Sequence, residues 1–233
     1  MIRFAQYGRY ELSLYVTLSL ALAALSAFGL SAWLSPWIGI PLAIIFFTAA
    51  GFVFWFFRDP EREIAGLPTD IVSPADGTVT DVKDSATCAE YIGGGAAMLG
   101  IFLSVFDVHI NRAPLDGDVR YLRYKAGKFL DVRHPDCPRL NEQQAIGFEA
   151  NAAGGARVLV RQIAGLIARR IVCDLKPGSR LKRGERFGMI KFGSRTEIWI
   201  GTVDARVEWL VKPGDHVKGG STILGTIHPS QPR

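Results

Sequence analysis

Hydrophobic and polar positions divide this chain at one place. From residue 12 through residue 57 there is no Asp, Glu, Lys or Arg, and apolar side chains fall on every face of a helix drawn through the stretch. A helix crosses a hydrocarbon core of about 30 Å with about 20 apolar residues. The stretch is too long for one crossing and suits two. Pro36 sets the break, because proline lacks an N–H and drives Ser35 before it out of helical geometry. Residues 12–34 and 37–57 are therefore predicted to form a helical hairpin. Core helices of a soluble protein keep a polar face, and this stretch has almost none. Tyr10, Trp33, Trp37 and Trp55 fall near its expected ends, where amphipathic rings favour the headgroup level. Full crossing of the bilayer and insertion into one leaflet both remain open.

Beyond Pro60 the period shortens. IVSPADGTVTDV, AAMLGIFLSVFDVHINRAP, GDVRYLRYKAGKF, ARVLVRQIAG, RFGMIKFGS, TEIWI and STILGTI read as strands of four to eight residues punctuated by Gly, Pro, Asp and Asn. Residues 164–170 read either as a short helix or as the approach to a further strand. The expected fold class is mostly β (α+β), with residues 1–58 forming the membrane-associated hairpin and residues 59–233 a separate β-rich domain. That domain is long enough to bury its own core. SPADGTVTDV and VKPGDHVKGGSTILGTI echo one another, each a turn, a glycine and then alternating apolar residues. The two halves of biotinyl and lipoyl carrier domains share this pattern, so a barrel-sandwich character is expected.

Composition narrows the setting. The chain has 233 residues, 48% of them hydrophobic, and a net charge of +5, which excludes general disorder. Its three cysteines form no C-x-x-C pair. Neither a disulfide framework nor a structural zinc site is expected, and a reducing compartment fits the folded part. Arg3 and Arg9 precede the apolar stretch, Arg58 and Arg62 follow it, and its middle carries no charge. The positive-inside rule then places both ends, and the whole β-rich domain, on the cytoplasmic face of the cell membrane. Residues 156–195 hold eleven Lys/Arg against Asp174 and Glu185. Nucleic acid and an anionic membrane surface both suit such a cluster. Beside a membrane hairpin, anionic lipid is the expected partner and nucleic acid is not.

Chemistry is harder to locate from pattern alone. G-x-x-x-x-G-K-[ST], H-E-x-x-H and the dinucleotide fingerprint are absent. Of His109, His134, His216 and His228, only His109 lies where a strand runs into a polar turn. Gly193-Ser194 sits between two apolar runs and reads as an ordinary loop.

Five ordered blocks change that reading: FRDPER at residues 57–62, SPADG at 73–77, DVHINRAP at 107–114, QIAGLIARRIV at 162–172 and RFGMIKFGSR at 186–195. Together with the N-terminal hairpin, the chain resembles the phosphatidylserine decarboxylase family, in its short bacterial and archaeal form. The resemblance implies self-cleavage between Gly193 and Ser194, giving chains 1–193 and 194–233 that stay associated. The Ser194 hydroxyl would attack the Gly193 carbonyl, and β-elimination and loss of ammonia would leave a pyruvoyl group derived from Ser194. That ketone would form an imine with the substrate amine and act as an electron sink, with no metal. Phosphatidylserine would become phosphatidylethanolamine.

By the same resemblance Asp76 matches the family's aspartate. The long-form relatives carry D-x-H-x-x-H-x-P, whereas this chain keeps only the first histidine, His109, and has Arg112 in the second's place. FGSR replaces LGST at the serine. His109 is expected to act as base or substrate acid with Asp76 orienting it. Arg112 and Arg195 either bind substrate phosphate or carboxylate or pair with protein acids. Two rivals stay open: a membrane-tethered carrier modified on Lys191, and the same chemistry on an ether-linked serine lipid. A homodimer also stays open.

Overall fold

A computed structural model describes residues 3–64, 66–166, 170–191, 193–203 and 205–229. The chain divides into two compact units, one ending at Glu61 and the other beginning at Arg62.

The first unit is the expected pair of apolar helices. They run Gln6–Trp33 and Pro36–Phe56, about 40 Å and 30 Å at 1.5 Å per residue. The first starts earlier than hydropathy predicts, taking Arg9 and Glu11 into its opening turns. Ser35 ends it as expected: its extended backbone and the hydroxyl that accepts from Trp37 N–H at 3.3 Å cap the second helix, with Pro36 at the first helical position. The helices pack closely at Gly39, where a Cβ would overlap Ser31 Oγ and the Ser26 carbonyl. Elsewhere their apolar side chains face outward, with Trp33 and Trp37 about 90% exposed. Such an apolar surface is long enough to suit a hydrocarbon surrounding.

Among the described residues the second unit is built from fourteen strands: β1 Asp70–Val72, β2 Gly77–Cys88, β3 Gly94–Leu103, β4 Ile110–Arg112, β5 Gly117–Lys125, β6 Gln143–Ala150, β7 Ala156–Ala164, β8 Arg170–Cys173, β9 Arg180–Leu181, β10 Arg186–Lys191, β11 Ser194–Gly201, β12 Ala205–Trp209, β13 His216–Val217 and β14 Ile223–Pro229. The mostly-β expectation holds. An eight-stranded sheet runs β13-β2-β3-β11-β7-β6-β5-β9, and two three-stranded sheets run β1-β14-β12 and β4-β10-β8. Val79, Leu99, Ile101, Ile146, Phe148, Val158, Val160, Ile198 and Ile200 from the large sheet bury one shared core with Ile71, Phe187, Leu224 and Ile227 of the small ones.

Among strands of five residues or more, two escape the hydropathy reading. In β6, QQAIGFEA mixes Ala, Gly and Gln, which carry little strand signal; its pairing with β5 and β7 makes it a strand. In β12, ARVEW is too polar to stand out. The echo between SPADG and PGDHVKGG has a spatial meaning, for β13 pairs with β2 through Gly77↔Val217 and His216↔Thr78. Gly77 at φ +150° packs so closely that a Cβ would overlap the Phe102 carbonyl oxygen, which accounts for the glycine in that turn.

Candidate active site

Between β10 and β11 the chain leaves one sheet and enters another across residues 192 and 193. Phe192, in the RFGMIKFGSR block, and Arg169, in the basic cluster, lie outside the described residues. Gly193 makes the corner at φ +69°, a conformation that costs an L side chain but not glycine. Ser194 then enters β11 between β3 and β7, opposite Leu103 and Ala164. Ser194 is fully buried, and its Oγ has no hydrogen-bond partner among the described residues. A buried hydroxyl without a partner costs about 1–3 kcal/mol, a penalty that structure alone gives no reason to keep.

The carbonyl of Gly193 is approached from the far side by Gly165, where a Cβ would overlap its oxygen. Val105 lies nearby on the Gly193 Cα side. A glycine on each strand connection therefore lets the Gly193 peptide and the end of β7 come together.

His109 reaches this point through backbone pairing. Its carbonyl accepts from Ile190 N–H at 3.2 Å, which fixes it beside β10 just before the corner. The ring is fully buried. Its Nδ1 is 2.9 Å from the Asp107 carbonyl oxygen, and its Nε2 accepts from Gly193 N–H at 3.0 Å. A carbonyl only accepts and an amide N–H only donates. The two contacts together therefore place the ring's single proton on Nδ1 and its lone pair on Nε2. Asp107 is itself held in a tight turn, its carboxylate accepting from Ser104 N–H at 2.8 Å.

Asp76 contacts two other groups near the site. The contact holding His109 Nδ1 comes from the Asp107 carbonyl, not from Asp76. One Asp76 oxygen accepts from Gly219 N–H at 2.7 Å, and the other pairs with Arg62 at 2.7 Å. It joins the two echoing turns. SPADG still borders the site, because the Pro74 carbonyl accepts from Arg112 N–H at 2.9 Å.

The arginines are also engaged by the protein. Arg112 is buried and donates through Nη1 to the Gly184 carbonyl at 3.1 Å. Arg195 points to the opposite face of β11 from Ser194. Its Nε donates to Glu197 at 2.9 Å, Nη1 to Thr80 at 2.7 Å and Nη2 to Asp81 at 2.8 Å. Burial alone would lower its pKa, but the Glu197 and Asp81 charges outweigh that and raise it. Of the two roles open to Arg195, pairing with acids is the one these contacts display. A cavity of about 660 Å³ lies on that face, lined by Arg195, Glu197, Trp199, Phe102 and residues 132–135. Lys191, which the carrier reading needs at an exposed hairpin tip, is 4% exposed within β10. No cluster of His, Cys, Asp and Glu suited to a metal occurs among the described residues.

The family model for phosphatidylserine decarboxylase matches residues 49–225. The chain belongs to the phosphatidylserine decarboxylase family. It is 49% identical over 176 residues to the phosphatidylserine decarboxylase proenzyme of Symbiobacterium thermophilum, covering 76% of this chain and 79% of the relative. It is 44% identical over 207 residues to the Carboxydothermus hydrogenoformans proenzyme, covering 89% and 92%. The Rhodopirellula baltica proenzyme is 40% identical over 221 residues, covering 95% and 87%.

Within a family of proenzymes the Gly193–Ser194 corner gains a meaning that pattern alone did not give it. Sequence reasoning picked out Gly193, Ser194 and His109, which the fold brings together. It missed Asp107 and Gly165, although both stand inside the blocks DVHINRAP and QIAGLIARRIV. Their roles lie in a carbonyl direction and in an absent side chain, neither of which residue chemistry advertises.

Proposed function

We infer that this chain is a pyruvoyl-dependent decarboxylase that converts phosphatidylserine to phosphatidylethanolamine after cutting itself between Gly193 and Ser194. The observation that carries the reading is the buried, unpartnered Ser194 hydroxyl directly after a left-handed glycine in a member of this family. Nucleophilic attack joins Ser194 Oγ to the Gly193 carbonyl carbon and breaks the amide C–N bond. Elimination then releases the Gly193 carboxylate and leaves dehydroalanine at residue 194, and one water molecule hydrolyses it to the pyruvoyl ketone and ammonia. The pyruvoyl ketone, once present, supplies an electron sink for loss of CO₂ from an amine-bearing substrate.

The start of β11 suits such a group, since Ser194 is fully buried there. In the uncut chain His109 accepts from Gly193 N–H and so steadies Gly193 one peptide before the bond that is attacked. Cutting makes Gly193 a chain end, and its departure releases the Nε2 lone pair within one residue of the reacting centre. His109 then moves a proton to or from the substrate. Asp76 supports the site by tying Arg62 and Gly219 together, and Arg112 and Arg195 stiffen its walls. Residues 1–193 and 194–233 stay associated because β11 is hydrogen-bonded on both sides, to β3 and to β7.

The first unit anchors the enzyme in the cell membrane with the β-rich unit on the cytoplasmic face, where the lipid headgroup is met. The paired turns at Gly77 and Val217 also favour a barrel-sandwich ancestry shared with biotinyl and lipoyl domains.

The mass of the C-terminal fragment tests the cut and the new group together. The expected fragment starts at residue 194 and is lighter than its serine form by one ammonia, and Ser194→Ala stays whole. An intact chain in membranes that make phosphatidylethanolamine through this protein would overturn the reading.

A further inference from the structure

Strand pairing gathers three polar side chains beside the cut bond. β7 sets Gln162 opposite Thr196 and Ala164 opposite Ser194. Side chains alternate along a strand, so Ser194, Thr196 and Gln162 share one interior face, with Gln162 diagonal to Ser194. All three are 0% exposed, as is Asn111 of β4. Gln162 Nε2 donates to Asn111 Oδ1 at 2.8 Å and to the Val172 carbonyl at 3.3 Å. Asn111 Nδ2 donates to Thr196 Oγ1 at 3.1 Å and to the Pro74 carbonyl at 3.4 Å.

The two main-chain carbonyls can only accept, so they fix which way each amide points. The direction of the chain of bonds follows. Thr196 Oγ1 already accepts from Asn111 and has its proton to give. Gln162 Oε1 and Ser194 Oγ are buried with no partner among the described residues. A donor, an acceptor and a hydroxyl on one closed face make the set of contacts that one water molecule completes.

We propose that Gln162 and Thr196 hold a single water against Ser194 Oγ, and that this water carries the hydroxyl proton during self-cleavage. The proposal rests on Gly193–Ser194 being the bond that is cut. As Oγ bonds to the Gly193 carbonyl carbon, its proton passes to the water oxygen. A proton of the water passes to the Ser194 nitrogen, the C–N bond breaks, and the water is restored. Thr196 donates to the water and Gln162 Oε1 accepts its remaining proton, so both are positioning residues. The relay supplies the proton acceptor that His109 does not, because Nε2 is already occupied by Gly193 N–H.

The test follows appearance of the C-terminal fragment after cell-free synthesis of the full chain into lipid vesicles, in mixtures of H₂O and D₂O. Two protons moving in one step give a wild-type rate that bows downward with deuterium fraction. Thr196→Val and Gln162→Met are each expected to slow cutting by about 100-fold, the low end of what a positioned proton transfer contributes. Thr196→Ser keeps the hydroxyl and restores the rate together with the bowed curve. A linear wild-type curve, or wild-type rates in both apolar variants, overturns the proposal. Should Thr196→Val lose protease resistance and so prove unfolded, the wild-type curve and the Thr196→Ser rate decide. If Ser194→Ala still releases the fragment, the assigned cut itself is wrong. If the cut is at Ser194 and the variants are unaffected, only the relay fails.

Discussion

Single atoms set the behaviour of the proposed cut site. Gly165 leaves no room for a Cβ beside the Gly193 carbonyl oxygen, so Gly165→Ala must displace that carbonyl. Self-cleavage is expected to slow by roughly tenfold or more, as small misplacements of reacting groups do. A denaturing gel of freshly made protein reads this as intact chain. His109→Ala strands the Gly193 N–H, at a cost of about 1–3 kcal/mol. Fragment that still forms but shows a large loss of decarboxylation assigns His109 mainly to the second reaction. Full decarboxylation by this variant would remove it from both. Cys137 reports on packing near the site, since Asn141 Nδ2 donates both to its Sγ at 3.2 Å and to the Ala164 carbonyl at 2.8 Å. Burial pushes its thiol up to about 11, and the thiolate is the reactive form. The folded protein at pH 8 should leave Cys137 unalkylated, as fragment mass after iodoacetamide would show. Ser194 and His109 were legible in the sequence only through the ordered family blocks that hold them, since pattern alone reads Gly193-Ser194 as a loop. Asp107 acts through a main-chain carbonyl and Gly165 through a missing atom, so neither was.

At the scale of elements, β11 explains why so many charges near the site are buried. Arg195, Glu197 and Trp199 lie on one face and Thr196, Ile198 and Ile200 on the other, all on a strand with neighbours at both sides. Glu197 is 1% exposed, holding Arg195 at 2.9 Å and the Trp199 Nε1–H at 3.0 Å. Removing one partner of such a pair leaves a buried charge uncompensated. Glu197→Ala should therefore cost about 3–5 kcal/mol, visible as a lowered unfolding midpoint. Asp81, at the other end of Arg195, has a pKa below the ordinary carboxylate value: burial raises it, and Arg195 more than reverses that. A depressed folded-state pKa contributes stability that is complete above the unfolded value near 3.9 and lost as pH falls through the folded one. Stability measured through that acid range should fall less steeply in Asp81→Asn than in wild type. The basic cluster of residues 156–195 looked like one lipid-facing surface. The fold instead divides it, sending Arg195 and Lys191 inside.

At the scale of the whole molecule, the uncharged run and the β-rich unit present different surfaces. Two helices with outward apolar side chains predict that the full chain stays in the membrane pellet after an alkaline carbonate wash. Recovery in the supernatant would remove the anchor. The sequence by itself determined the helical pair, the break at Ser35-Pro36, the mostly-β class and the family, because these depend on local hydropathy, on proline's missing N–H and on ordered motifs. Tertiary structure alone decided what touches what at the cut. Residues 109, 165 and 193 are far apart in the chain, and only strand register brings a ring nitrogen to the Gly193 N–H and an empty Cβ position to the Gly193 carbonyl. The same register turned Arg195 from a free cation into a buried partner, since burial and pairing belong to the sheet and not to the residue.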